Sequence, residues 1–380
     1  MAELYETPKG SRTHIAFFGL RNAGKSTLVN AFTRQDVAFV SDVAGTTTDP
    51  VSKAMEILPL GPCLITDTAG LDDVGELGGK RVEKTLAVLA TADVAVWVDD
   101  GGAASGADAF RKRFDDECRR RGVTVLEYRR GDSVDALREK IASLRLADAA
   151  PGLLDGLAKA GDRVVCVCPI DESAPKGRLI LPQVQLIREC LDIGAWSVVC
   201  QPRELPRVLG EVKCSLVVTD SQAFGEVKDS LASLAAGRRP ALTSFSILFA
   251  RQKGDLAEYL KGLAAVRSLK DGDRVLVAEG CTHHRQCNDI GTVKIPRALS
   301  KMTGRRLEFS FAGGGAFGVS SDGGAPALVV QCGGCMLTRR EVLRRIGLCR
   351  EAGVPIVNYG MLLAAAHGLA GARPDGLVDL

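Results

Sequence analysis

Short apolar runs alternate with amphipathic stretches over residues 13–100. His14–Phe18 is an apolar run that leads into a glycine-containing turn, and Ser26–Phe32 opens with helical spacing directly after it. Lys53–Leu58 and Pro62–Thr66 have the pattern of a strand pair, Arg81–Thr91 that of a helix, and Ala92–Val98 that of a buried strand. Strands alternating with helices predict a mainly parallel sheet covered by helices. A helix at Asp108–Arg121, a strand at Val123–Tyr128 and a helix at Asp132–Leu144 extend this unit. Ala147–Gly161, rich in alanine and glycine, reads as a linker.

The pattern then starts again. Strands are expected at Val164–Cys168, Ser197–Cys200 and Leu216–Thr219, and helices at Leu181–Ile193 and Ser221–Leu234. A third stretch predicts a helix at Gly254–Ala265 and strands at Arg274–Glu279 and Ala327–Val330, with a mobile glycine-rich loop at Ala312–Pro326. Thr338-Arg-Arg-Glu341 has capping-box spacing, so a helix is expected just after Cys335. No repeat of 20–50 residues is visible. The expectation is a three-domain α/β protein. Residues 1–158 are expected to form a domain with a mainly parallel sheet, 159–253 a small α/β domain without chemistry of its own, and 254–380 a further α/β domain.

Length supports this division, because 380 residues exceed one ordinary core. Net charge is +3, and arginine pairs such as Arg129-Arg130, Arg305-Arg306 and Arg339-Arg340 are scattered among acids, so no nucleic-acid footprint is expected. No apolar run is long enough to span a membrane, and the N-terminus lacks the basic and apolar regions of a signal peptide. A cytoplasmic protein is expected. In a reducing compartment the twelve cysteines read as thiols or metal ligands rather than disulfides.

The turn after His14–Phe18 reads Gly19-Leu-Arg-Asn22-Ala23-Gly24-Lys25-Ser26-Thr27. Between a strand and a helix this is a phosphate-binding loop: backbone amides close on phosphate oxygens, Lys25 supplies charge to the β- and γ-phosphates, and the Ser26 hydroxyl serves magnesium. Asp67-Thr-Ala-Gly70 follows a strand. An aspartate there holds the magnesium shell, and the glycine amide senses the γ-phosphate. Ala44-Gly45-Thr46-Thr47-Thr48-Asp49 lies between, where a switch threonine belongs.

This order over residues 14–100 resembles the translation-factor-like GTPases, in the subgroup with Asn at the position of Asn22. The resemblance implies that Asn22 binds a potassium ion in place of an arginine finger. It also implies that Thr47 is the switch threonine on magnesium, and that Lys25, Thr47 and Gly70 serve hydrolysis. The Asn-Lys-x-Asp tetrad that reads guanine is absent. Only one strand fits between Asp100 and the helix at Asp132, where the family has two. Asp132 is either a degenerate base reader or a helix cap.

Two further clusters read Cys281-Thr-His283-His284-Arg-Gln-Cys287 and Gln331-Cys332-Gly-Gly-Cys335-Met336. Both follow apolar strands, so adjacent strand ends would bring them together. Spacing alone suits zinc or an iron–sulfur cluster, or two unrelated buried patches. Cys166-Val-Cys168 directs both thiols to one face of a strand and reads as core. Cys63, Cys118, Cys190, Cys200, Cys214 and Cys349 lack ligand spacing, and His14 and His367 stand alone.

With Cys287-x-Asp289-Ile-Gly291-x-Val-Lys-Ile-Pro296 completing the first cluster, the chain resembles the FeFe-hydrogenase maturation GTPases (HydF family) across all three domains. The resemblance implies a GTPase domain, a dimerisation domain and an iron–sulfur domain. It implies a scaffold and carrier for a di-iron precursor, with the hydrogenase apoprotein and radical-SAM maturases as partners of a homodimer. Cys281, Cys332 and Cys335 would hold a 4Fe–4S cluster, with His283 as fourth or nearby ligand. The family commonly has His before the CxxC, where Gln331 stands here. The alternative is a zinc-containing regulatory GTPase of RNA or ribosome maturation. A redox enzyme is a further rival, but no flavin, nicotinamide or radical-SAM motif accompanies the cysteines.

Overall fold

The computed structural model describes residues 9–34, 51–70, 82, 84–101, 107–144, 151–170, 179–280, 289–313, 317–319 and 324–380. They divide into two compact units, Met1–Ala149 and Ala150–Leu380.

In the first unit β1 (Thr13–Phe18), β2 (Val51–Ile57), β3 (Gly61–Asp67), β4 (Val94–Asp99) and β5 (Thr124–Arg129) form a sheet in the order β2-β3-β1-β4-β5. Only β2 runs antiparallel to its neighbour; the other pairings are parallel. β1 and β4 read as unbroken apolar runs because both of their faces are covered. Alternate residues feed two cores. Phe17 and Val96 meet Val29, Phe32 and Ile141 on one face; Phe18 and Trp97 meet Leu89 and Phe114 on the other. Between Asp99 and Val134 the described residues hold a single strand, β5, followed by helix Val134–Ala142. That helix is capped by Ser133, whose Oγ accepts from the Ala136 amide. Asp132 is therefore not the cap; its carboxylate closes the preceding turn by accepting from the Arg129 amide at 2.9 Å.

The second unit holds two sheets. β6 (Arg163–Val167), β7 (Trp196–Cys200), β8 (Leu216–Thr219) and β9 (Ala241–Ser244) are parallel, and β14 (Ala370–Ala372) and β15 (Val378–Asp379) extend them in the order β14-β15-β9-β8-β6-β7. The C-terminal strands thus return to the sheet of the middle segment, and the buried Thr243 hydroxyl donates to the Gly376 carbonyl at 2.7 Å. This sheet crosses the boundary expected near residue 254. β10 (Arg274–Ala278), β11 (Glu308–Ala312), β12 (Leu328–Gln331) and β13 (Ile356–Asn358) form an all-parallel sheet in the order β11-β10-β12-β13. One core spans both sheets, joining Val165, Val217 and Leu242 to Val275, Val329 and Val357. The glycine-rich stretch is not merely a surface loop, since Phe317 and Val319 are buried in that core. Among the described residues no helix is long and apolar enough to cross a membrane.

Helix Leu256–Ala265 lies against β13 through Gly262, where a Cβ would overlap the Ile356 carbonyl. Gly262→Ala should therefore destabilise the protein by about 1–3 kcal/mol, the usual cost of overpacking against a backbone that cannot retreat. Gly210, in helix Leu205–Glu211, has open space around it. Gly210→Ala should be neutral or stabilising by up to about 1 kcal/mol. Denaturant midpoints of the two variants check the pair, and equal midpoints would refute the close approach.

Candidate functional site

β1 delivers the phosphate loop and helix Lys25–Thr33 carries it away. Asn22 takes a left-handed backbone with φ of 61°, a region that asparagine enters more readily than most residues. Lys25 is buried, and its ammonium donates to the Gly19 and Leu20 carbonyls at 3.3 and 2.7 Å. The charge is thus held inside the loop.

β3 runs parallel to β1, which brings Asp67 beside the start of that helix. The Ser26 hydroxyl donates to Asp67 Oδ2 at 2.5 Å. The other oxygen, Oδ1, is buried and has no hydrogen-bond partner among the described residues. Burial pushes the Asp67 carboxyl up in pKa, opposed by the Ser26 hydroxyl, the Lys25 charge and the Thr68 amide. An unpartnered buried carboxylate oxygen beside a hydroxyl is a donor set that suits a hard divalent cation such as magnesium. Thr68 anchors the following turn by donating to the Phe17 carbonyl at 2.7 Å, and Gly70 is buried at its end. Thr47 lies outside the described residues.

In the second unit β10 and β12 are parallel neighbours, with Ala278 opposite Gln331. Both strands end on the same side of the sheet, so Gly280, after β10, and the Cys332–Cys335 turn, after β12, lie side by side. The Cys332 amide donates to the Ala278 carbonyl at 3.0 Å, and the Gly280 amide donates to Cys332 Sγ at 3.1 Å. Gly334 has φ of +70°, which the tight turn between the two cysteines requires. Thr338 caps helix Arg339–Glu351, its hydroxyl accepting from the Glu341 amide, as the capping-box spacing predicts.

Cys332 and Cys335 are half-buried. Burial raises the Cys332 thiol, against amide hydrogen bonds from Gly334 and Gly280 that favour its thiolate. Burial likewise pushes Cys335 up to about 11, with the Lys253 charge opposing it. Metal ligation removes such protons, and amide donors aimed at sulfur suit a ligated thiolate. Cys281, His283, His284 and Cys287 lie outside the described residues. Among the described residues no three His, Cys, Asp or Glu side chains gather as a metal site. Gln331 is turned into the core, where its amide donates to the Tyr259 hydroxyl at 3.1 Å. Cys166 and Cys168 are fully buried and pushed up to about 12 by burial, as core thiols should be.

Two cations near the cysteines have no motif to announce them. Lys253, at the end of helix Phe245–Lys253, is buried and bonded to the CxxC turn. Arg345 is buried over the Phe317 ring at 4.9 Å and paired with Glu341 at 2.8 Å.

Three family models match the chain. Residues 14–127 match the 50S ribosome-binding GTPase, 153–254 the hydrogen maturase F dimerization domain, and 257–372 the hydrogen maturase F tetramerization domain. Among curated proteins, the tRNA modification GTPase MnmE of Rhodospirillum rubrum is 41% identical over 95 residues, 25% of this chain and 21% of that one. MnmE of a Sulfurovum species is 30% identical over 203 residues, 51% of this chain and 38% of that one. The chain thus spans well under half the length of these relatives. Among solved structures, an Era variant of Aquifex aeolicus bound to GDP and aluminium fluoride is 16% identical with a TM-score of 0.27, covering 79% of this chain and 93% of that one. The G domain of T. maritima FeoB is 18% identical with a TM-score of 0.25, covering 34% and 96%.

Proposed function

The chain belongs to the hydrogen maturase F family, and from that premise we propose that it is a scaffold and carrier in assembly of the FeFe-hydrogenase active site. In this proposal residues 1–158 are a GTP-binding switch, 159–253 a dimerisation domain and 254–380 a cluster domain. Cys281, Cys332 and Cys335 hold a 4Fe–4S cluster, with His283 as fourth or nearby ligand. The observation that carries it is the parallel pairing of β10 and β12, past whose ends the Gly280 amide, one residue before Cys281, meets the Cys332 sulfur. Three thiolates leave one iron of a cubane for an exchangeable ligand, so a di-iron precursor could dock there and later leave. Its partners in this scheme are the hydrogenase apoprotein and the radical-SAM maturases, in the cytoplasm, with no role for nucleic acid or a membrane. Anaerobic purification with iron, sulfide and zinc analysis tests the proposal. Zinc without sulfide would favour the regulatory GTPase instead.

A homodimer is supported by the edge of the six-stranded sheet, where among the described residues no further strand pairs with β7. β7 ends the strand order, and Trp196 on it is 61% exposed, close in sequence to Leu191 at 69%. An exposed apolar edge strand is a template for pairing with another chain.

The nucleotide end is proposed to work as follows. The loop from Asn22 through Ala23, Gly24, Lys25 and Ser26 to Thr27 binds the phosphates of GTP. Ser26, Thr47 and Asp67 hold Mg2+, and Asn22 holds K+. Lys25 and the Gly70 amide contact the γ-phosphate. Hydrolysis should run several-fold faster in potassium than in sodium, and Asn22→Ala should remove the difference. Equal initial rates in the two salts would remove the potassium role.

Base selectivity should be weak. A site that hydrogen-bonds a base edge gains several kcal/mol of selectivity because a wrong base leaves buried groups unpaired. No Asn-Lys-x-Asp reader is present, and the Asp132 carboxylate already accepts from the Arg129 amide. Phosphate and magnesium contacts are common to all triphosphates. GTP and ATP affinities are therefore expected within roughly tenfold, a gap of about 1.4 kcal/mol. Titration of both nucleotides with magnesium and potassium present measures it; a preference above a hundredfold would show that another segment reads the base.

A further inference from the structure

We propose that Lys253 is the positioning residue and the counter-charge of the metal centre at Cys332 and Cys335, supplied from the segment matched to the dimerization domain. The inference rests on the cluster proposed above, and adds to it a residue that no ligand spacing marks.

Lys253 is 3% exposed. Its ammonium donates to the Gly334, Cys335 and Leu337 carbonyls at 3.3, 3.1 and 2.8 Å. An ammonium has three hydrogens, and these three acceptors use them all. They bracket the turn that follows Cys332, so one side chain ties down the chain on both sides of Cys335. Holding the Gly334 carbonyl also fixes the turn that follows Cys332, whose sulfur accepts from the Gly280 amide at 3.1 Å. The lysine thus helps set the conformation in which a backbone donor faces a ligand sulfur.

The second part of the argument is charge. Carbonyls satisfy the donors but do not cancel the charge, and a buried charge without an opposite one is strongly disfavoured. Among the described residues no carboxylate forms an ion pair with Lys253. The Phe249 ring lies 5.2 Å from its nitrogen, and the Cys335 carbonyl that the ammonium holds at 3.1 Å sets it beside the CxxC turn. A metal centre that keeps Cys332 and Cys335 deprotonated would place the missing counter-charge beside this buried cation. A cation fixed beside such a centre favours the state with the more negative charge, which is the reduced one.

The experiment compares the full chain with Lys253→Met and Lys253→Arg, each reconstituted anaerobically and titrated redox-potentiometrically with the cluster signal followed by electron paramagnetic resonance. Lys253→Met should lower the reduced-to-oxidised ratio at a fixed solution potential at least tenfold, equivalent to about 59 mV for one electron. Lys253→Arg should restore it. A folded Lys253→Met chain that takes up no cluster would also support the positioning role. A Lys253→Met chain with unchanged cluster content and unchanged potential would overturn the proposal. If circular dichroism shows that Lys253→Met is unfolded, Lys253→Gln replaces it under the same criteria. If neither neutral chain folds, a Lys253→Arg potential below that of the unmodified chain overturns the proposal and an equal one supports it. Failure of the unmodified chain to take up iron and sulfide is a different result, and removes the cluster reading itself.

Discussion

Replacing Cys332 with alanine is expected to abolish the thiolate-to-iron absorption after anaerobic reconstitution and to bring iron and sulfide to background. Cys332 is the ligand candidate with the most specific surroundings. It leaves β12 in register with the end of β10, its amide is bonded to the Ala278 carbonyl, and its sulfur accepts from the Gly280 amide. A cubane held by three thiolates cannot drop to two and keep its occupancy, because the lost thiolate is replaced at best by water. Cys335→Ala and Cys281→Ala should behave alike. The control is Cys166→Ala. Its thiol is sealed in the core of the six-stranded sheet, 3.5 Å from the Ser197 hydroxyl, so that variant loses a little stability and none of the cluster. Full cluster content in Cys332→Ala would sink the ligand assignment.

What was legible in the sequence follows from what burial does to a pattern. β1 and β4 are covered on both faces and therefore show as apolar runs. The phosphate loop shows because its chemistry demands fixed spacing. The apposition of Cys332 with the segment before Cys281 could be expected from two ligand clusters that each follow a strand, but the pairing register that brings it about could not. β9, β11, β13, β14 and β15 were not anticipated. β13, β14 and β15 span two or three residues each, too short for a period to emerge; β9 ends in Thr243 and Ser244 and so shows no apolar run, and β11 is largely exposed. The return of the C-terminal strands to the six-stranded sheet is a long-range pairing with no local signal. Asp132 was one candidate cap by residue type, but backbone geometry gives that place to Ser133, whose Oγ accepts from the Ala136 amide. Lys253 has no spacing that marks it, and the helix that it ends, Phe245–Lys253, was not anticipated. Its role depends on which turn the helix end meets in the fold.

Replacing Lys25 with alanine should weaken magnesium–nucleotide binding by roughly ten- to a hundredfold, and slow any hydrolysis by more. A hydrogen bond from a charged donor contributes about 1.5–3 kcal/mol, and each 1.4 kcal/mol is tenfold in affinity. The structure explains why little else can compensate. Lys25 is buried in the loop with its ammonium on the Gly19 and Leu20 carbonyls, so the charge is ready at the place where phosphate oxygens would enter. Helix N-terminal amides remain in Lys25→Ala and retain part of the anion affinity, which is why the loss is bounded. Hydrolysis suffers more because the lysine charge matters most where negative charge moves between the β- and γ-phosphates. Ser26→Ala is the informative companion. It removes the hydroxyl that donates to Asp67 Oδ2 at 2.5 Å, so its defect should shrink as magnesium is raised, whereas that of Lys25→Ala should not. Equal nucleotide affinity in Lys25→Ala and the unmodified chain would mean that this loop does not carry the phosphates.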